Sequence, residues 1–190
     1  MEELLLIDNY DSFTYNLVHL IEGCAEVNVK VIKNDNPAIY SIVNDFNKII
    51  ISPGPGLPNE AGNLIEVLKQ IIPTKKVLGV CLGHQAIAEL AGAQLYNLPQ
   101  VYHGVAHKII VNENNTIFKN LPQQFSVARY HSWSVDKNSN LSNLEILARD
   151  EQSEIMAFKY KDFPVFGIQF HPESILCEFG KEIIINWLEI

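Results

Sequence analysis

No run of apolar residues in this 190-residue chain reaches the roughly 18 to 20 positions that a membrane-spanning helix needs. Basic charge is also short, with 14 Lys and Arg against 22 Asp and Glu and a formal net charge of -8. Phosphate backbones and anionic membranes are bound through clustered Lys and Arg that release counterions, so neither nucleic acid nor a membrane surface is an expected partner. Cysteine is scarce. Cys24, Cys81 and Cys177 cannot all pair within one chain, and none lies in a CxxC or a Cys/His cluster with zinc spacing, so neither a disulfide scaffold nor a bound metal is expected. The opening MEELLLIDNY is acidic where a secretory signal would be basic, and the expected location is cytoplasmic. What is abundant is apolar: 47% of residues are hydrophobic and only 19% are charged, which excludes a disordered chain.

The first half alternates short apolar runs with helical patterns, as βαβ units of a parallel sheet do. Strands are expected at Leu4–Asp8, Val27–Lys33, Lys48–Ser52 and Lys76–Val80. Helices are expected from about Phe13 to Glu22 with Ser12 as cap, from Pro37 to Asp45, over Leu64–Ile71 and from Gly83 to Leu90. After Gly92 the pattern becomes β-rich, with HKIIV (107–111), FSVARY (125–130), LEILARD (144–150), IMAFKY (155–160) and VFGIQF (165–170). These suggest antiparallel pairs extending the same sheet, and an amphipathic helix over Gly180–Leu188 closes the chain. The expected fold is a single α/β domain over residues 1–190, a mostly parallel, doubly wound sheet with helices on both faces and an antiparallel β extension.

Three segments carry chemistry. In GVCLGHQ (79–85), Cys81 falls on a sharp turn between a buried strand and a helix N-terminus, where free N–H groups favour a thiolate and offer oxyanion donors. In HPE (171–173), Pro172 biases His171 toward an extended conformation, so Glu173 points to the same side and can hold the imidazole. A nucleophile, a base and an orienter are the set that acyl transfer requires. In SPGPG (52–56), two glycines between prolines make a stiff loop whose N–H groups can face a ligand, and it lacks the GxxxxGK[ST] pattern of a phosphate loop. Taken singly, each segment also reads as ordinary structure: a buried thiol, a surface histidine beside a proline turn, a tight turn. His19, His84, His107 and His131 lack metal-ligand spacing and read as satisfied or surface histidines, and Cys24 and Cys177 as structural.

In this order and spacing, GVCLGHQ, QFHPES and SPGPG resemble the class I, triad-type glutamine amidotransferases. The opening LLIDNYDSFTYNLV is similar to the branch that serves chorismate, the anthranilate synthase component II and aminodeoxychorismate synthase glutaminase subunits. The resemblance runs from about Leu4 to Leu188. It implies Cys81 as nucleophile, His171 as acid/base and Glu173 as its orienter, with an oxyanion hole at the backbone N–H groups of Gly54 and Leu82. It places the glutamine substrate against Gly54, Pro55, Gly56, Gln85 and the backbone of Ser132 and Trp133, where Trp133 stands at a position commonly Leu. The region of Asn9, Asp11, Ser12 and Phe13 is implied to lie near a partner.

The implied activity is glutamine hydrolysis that delivers ammonia to a chorismate-binding synthase subunit for anthranilate formation. No cofactor is implied on this chain, since any Mg2+ would belong to the synthase. The same subunit feeding 4-amino-4-deoxychorismate synthesis, or serving both products, is the alternative. A cysteine hydrolase on a similar fold is an alternative of a different class.

Overall fold

The computed structural model describes residues 2–112 and 116–190. Its strands are β1 (Glu2–Asp8), β2 (Val27–Lys33), β3 (Lys48–Ile51), β4 (Lys76–Val80), β5 (Leu95–Asn97), β6 (Val105–Val111), β7 (Gln124–Arg129), β8 (Trp133–Val135), β9 (Leu144–Asp150), β10 (Ile155–Tyr160) and β11 (Val165–Ile168). The α-helices are α1 (Thr14–Glu22), α2 (Ile39–Ile42), α3 (Leu64–Ile71), α4 (Leu82–Leu90) and α5 (Gly180–Glu189). Nine strands form one sheet in the order β2-β1-β3-β4-β11-β10-β9-β6-β7, and β5 pairs with β8 beside it.

The strands from β2 to β11 in that order are parallel. β1, β3, β4 and β11 carry unbroken apolar runs because both faces of the sheet are covered there, whereas the edge strand β2 alternates and leaves Asn28, Lys30 and Lys33 exposed. Leu4 and Leu6 point into a cluster with Leu17 and Ile21 of α1 and Ile183 and Trp187 of α5. Leu5 and Ile7 point to the opposite side, into a cluster with Ile39 of α2, Val67 and Leu68 of α3 and Ala86 and Ile87 of α4. Fully burying such a side chain contributes about 1.5–3 kcal/mol, so each face holds its helices through several such contacts. The remaining strands, β10, β9, β6 and β7, are antiparallel as expected.

Three local readings are corrected, and two short strands are added. VFGIQF belongs with the parallel half: β11 is antiparallel to β10 but parallel to β4, and all four of its residues are buried. Ser12 does not cap α1; the Asp11 carboxylate accepts the Phe13 N–H at 2.8 Å and the Asp11 carbonyl accepts the Thr14 N–H. The segment from Pro37 to Asp45 splits into α2 and a 3-10 turn at Val43–Asp45. Finally, the three-residue strands β5 and β8 are too short to leave an alternating pattern in the sequence.

Candidate active site

The site forms because four adjacent parallel strands send their carboxyl ends to one edge, the rim where open α/β sheets bind ligands. Cys81 follows β4. Its neighbour on one side, β3, leads into Ser52–Gly56, and its neighbour on the other, β11, leads into Gln169 and His171. Beyond β3, β1 leads into the Asn9–Phe13 loop.

Cys81 adopts φ 51° and ψ -98°, a left-handed conformation that an L-residue keeps only where the surroundings force it. Two glycines supply the force by permitting a close crossing of strand and helix. A Cβ on Gly79 would stand 2.5 Å from the Gly83 backbone, and one on Gly83 would stand 2.8 Å from Ile51 Cβ. The Cys81 N–H donates to the Ile168 carbonyl at 2.8 Å, and its carbonyl accepts the Gln85 N–H at 3.1 Å. Gly83→Ala is therefore expected to destabilise the fold by about 1–3 kcal/mol through overpacking. A denaturant midpoint equal to that of the unsubstituted chain would show that the crossing has slack.

His171 Nδ1 lies 2.7 Å from Glu173 Oε1, and the side chains of both residues are buried. The sequence-expected pair is thus formed. Burial opposes charge on His171, but the contacts with Cys81 and then Glu173 outweigh it and raise the imidazole from its ordinary range to about 10. The ring therefore carries a proton across the neutral range, which is the state that can protonate a leaving amine.

Gly54 packs tightly in the SPGPG loop: a Cβ there would meet Asn9 Cβ at 2.6 Å and Leu82 Cδ2 at 2.8 Å. Leu82 opens α4, so its N–H has no intrahelical acceptor and suits an oxyanion. A cavity of about 160 Å³ is lined by Cys81, Gly54, Pro55, Gly56, Gln85, Ser132 and Trp133, together with Tyr130 and His131. Every residue expected to hold glutamine lines it. Gln85 Nε2 donates to the Trp133 carbonyl at 2.8 Å and to Gln169 Oε1 at 3.2 Å.

The N-terminal loop divides in two. Ser12 and Phe13 are exposed and Asp11 half-buried, but Asn9 is only 3% exposed and faces inward. Its N–H and Nδ2 donate to Ser52 Oγ and to the Ser52 carbonyl, both at 2.8 Å, and its Oδ1 accepts from Asn34 at 3.0 Å. Asn9 thus braces the oxyanion loop from within rather than presenting a surface. A second cavity, about 300 Å³, runs between Phe13, Asn16, Tyr130, His171, Glu173, Ser174 and Ile175.

Three residues of the site went unassigned in the sequence. Tyr130 borders both cavities, and its ring centroid is 4.8 Å from that of His171. Gln169 Nε2 reaches Cys81 Sγ at 3.6 Å. The signal for it was strand alternation, since residue 169 shares its face with residue 171 while Phe170 enters the core. His131 is buried and bonded on both ring nitrogens. Among the other histidines, His84 is buried against Phe158 and His19 is exposed. Among the described residues no His, Cys, Asp and Glu cluster could hold a metal ion. All three cysteines are free, and burial pushes the Cys177 thiol up to about 12, out of the reactive range.

A thiol on a strand-to-helix elbow beside a carboxylate-held imidazole, on the rim of a doubly wound sheet, defines a class of α/β proteins equipped for acyl transfer. Comparison with known proteins narrows the class. The sequence model for "Glutamine amidotransferase class-I" matches residues 5–190, and the chain belongs to that family. It is 40% identical to the "Putative anthranilate synthase component II" of Haemophilus influenzae, over 99% of this chain and 96% of that one. It is 41% identical to the "Aminodeoxychorismate/anthranilate synthase component 2" of Bacillus subtilis, over 98% and 95% respectively. The crystal structure of a glutamine amidotransferase from Thermotoga maritima superposes with a TM-score of 0.74 over 99% of this chain and 96% of that one. At 16% identity that likeness speaks for the fold alone.

Proposed function

We propose that this chain is the glutaminase subunit of an anthranilate synthase, supplying ammonia from glutamine to a chorismate-binding synthase subunit. The observation that carries the reading is that the His171–Glu173 pair lies against Cys81, which lines a cavity with Gly54, Gln85 and Trp133, in a chain of this family. The Cys81 thiolate adds to the side-chain amide carbon of glutamine, and the oxyanion is held by the N–H groups of Gly54 and Leu82. The C–N bond breaks as His171 gives its proton to the departing nitrogen, releasing ammonia and leaving a thioester on Cys81. Water then attacks the thioester and gives a proton to His171, so that glutamate leaves and the sulfur returns to its starting state. Glu173 orients His171 and stabilises its charge. This cycle uses no cofactor on the chain.

Ammonia released into water at neutral pH becomes ammonium, which is no nucleophile, so the acceptor has to dock close by. The names of the relatives, both component 2 proteins, support a synthase as that partner. The surface that suits it surrounds the second cavity, where Phe13 is 45% and Ile175 99% exposed. Phe13→Ala combined with Ile175→Asp is expected to weaken complex formation at least about 10-fold, as loss of an apolar anchor does at other interfaces, with no change in thermal midpoint. Calorimetric titration with the synthase reads this directly, and unchanged binding would move the interface elsewhere.

Among the described residues no helix is long and apolar enough to cross a membrane. The proposed pathway points to the cytoplasm. Membership in the amidotransferase family displaces the reading as a general cysteine hydrolase. The name of the Bacillus subtilis relative covers both products, so supply of ammonia for aminodeoxychorismate stands as the second reading. Copurification of the bound synthase, followed by identification of the aromatic product formed from chorismate and glutamine, separates the two.

A further inference from the structure

One buried cluster, which reaches the cavity wall at His131, has no part in the bond-making and bond-breaking of the reaction. Arg129, at the end of β7, is completely buried and donates from Nη1 to Asp150 Oδ2 at 2.6 Å. Asp150 is itself held by the turn between β9 and β10, its Oδ1 accepting the N–H groups of Gln152 at 2.9 Å and Glu154 at 2.8 Å. The Tyr102 ring covers the guanidinium, with its centroid 3.8 Å from Cζ. From this fixed position Arg129 Nε points at His131 Nε2, 3.1 Å away.

Arginine has donors and no acceptor, so His131 Nε2 must accept and its proton must sit on Nδ1. Nδ1 lies 2.8 Å from the Trp133 carbonyl, to which it therefore donates. The same carbonyl accepts Gln85 Nε2 at 2.8 Å, so both of its lone pairs are engaged. Burial and then the neighbouring Arg129 charge push the His131 pKa down to about 3, so the ring stays neutral and the tautomer does not change over the working pH range. On the other side of the segment, the Leu98 N–H donates to the Ser132 carbonyl at 2.7 Å. The backbone wall of the cavity is thus tied at both carbonyls.

We propose that Asp150, Arg129 and His131 form a rigid strut that positions the Ser132–Trp133 wall, making His131 a specificity-determining positioning residue for the amino-acid end of the substrate. The proposal rests on the glutaminase reading given above. A wall that contacts the part of glutamine remote from the reacting amide contributes equally to ground state and transition state, so its loss raises KM with kcat little changed.

The test uses the full chain with its synthase and three variants. His131→Phe fills the same space without either hydrogen bond and is expected to raise the KM for glutamine about 10- to 100-fold with kcat within about threefold. His131→Asn keeps a short amide donor for the Trp133 carbonyl and is expected to raise KM less than about 10-fold. Asp150→Asn, which leaves Arg129 free to shift, should follow His131→Phe. Alkylation of Cys81 by iodoacetamide should stay within about threefold of the unsubstituted rate in all three, the same margin as kcat, because neither His131 nor Asp150 bonds the sulfur or its imidazole. Nitrogen NMR of the unsubstituted chain should show the proton of His131 on Nδ1. A proton on Nε2, an unmoved KM in folded variants, or a joint fall in kcat and alkylation that marks general loosening would each overturn the strut. An unsubstituted complex that leaves glutamine intact would instead overturn the glutaminase reading, and the role of the strut with it.

Discussion

Cys81→Ser is expected to lower glutamine-dependent product formation by the assembled complex about 10³-fold or more, while synthesis from added ammonium salt at raised pH stays within about twofold. The size of the first effect follows from the position of residue 81. The thiol stands on a strained elbow at φ 51°, lies against His171, and lines the same cavity as Gly54 and Gln85. A serine hydroxyl would occupy the same place but give up its proton far less readily, and neither Cys24 nor Cys177 lines that cavity. The second half of the expectation follows from the division of labour between the two proteins: ammonia made elsewhere bypasses the elbow and needs only the synthase. Raised pH supplies the free amine. Loss of both activities in a properly assembled complex would show that Cys81 supports the partner's structure, and ammonia production alone would not describe it.

His171→Ala is expected to approach that loss, and Glu173→Gln to fall about 10- to 100-fold short of it, because an orienter acts only through its histidine. The pH profile separates the two roles. His171 is raised from the usual imidazole range to about 10 by its contacts with Cys81 and Glu173 against the opposing effect of burial. A raised histidine holds its proton at neutral pH and loses it as pH rises through the shifted value, so glutamine turnover should persist above neutrality and fall toward pH 10. Removing the Glu173 charge removes one of the causes that raise it, so the falling limb should begin at lower pH in Glu173→Gln. The same sign applies to stability. The favourable contribution of the protonated pair is complete below the unfolded histidine pKa of about 6.5 and is lost as pH rises through the folded value. A falling limb that does not move in Glu173→Gln, with kcat equal to that of the unsubstituted chain, would remove Glu173 from the triad.

Much of this site was legible because its parts are written as contiguous motifs at strand ends. GVCLGHQ names the elbow together with the two glycines that let β4 and α4 cross, and HPE names the imidazole with its carboxylate. What escaped was tertiary. β11 looks like any apolar strand after the antiparallel run, yet its parallel place beside β4 is what brings residues 169 and 171 to the sulfur. Asn9 sits in a loop motif that reads as surface, but the packing of Gly54 draws it inward as a brace. His131 has its direct partners, Arg129 and Trp133, two residues away on either side, but the Asp150 carboxylate that fixes Arg129 comes from the end of β9. Pairings between strands distant in sequence leave no local period to read.

The measurement that bears most directly on the central claim is the fate of the amide nitrogen. The complex of this chain with its synthase, given chorismate and glutamine labelled with heavy nitrogen on the side-chain amide, in the presence of unlabelled ammonium at neutral pH, is expected to form anthranilate carrying the label. Cys81→Ser in the same mixture should form little product, and that product unlabelled. Anthranilate whose nitrogen matches the bulk ammonium pool in the unsubstituted complex would contradict the account, because the amine would then not come from the Cys81 site.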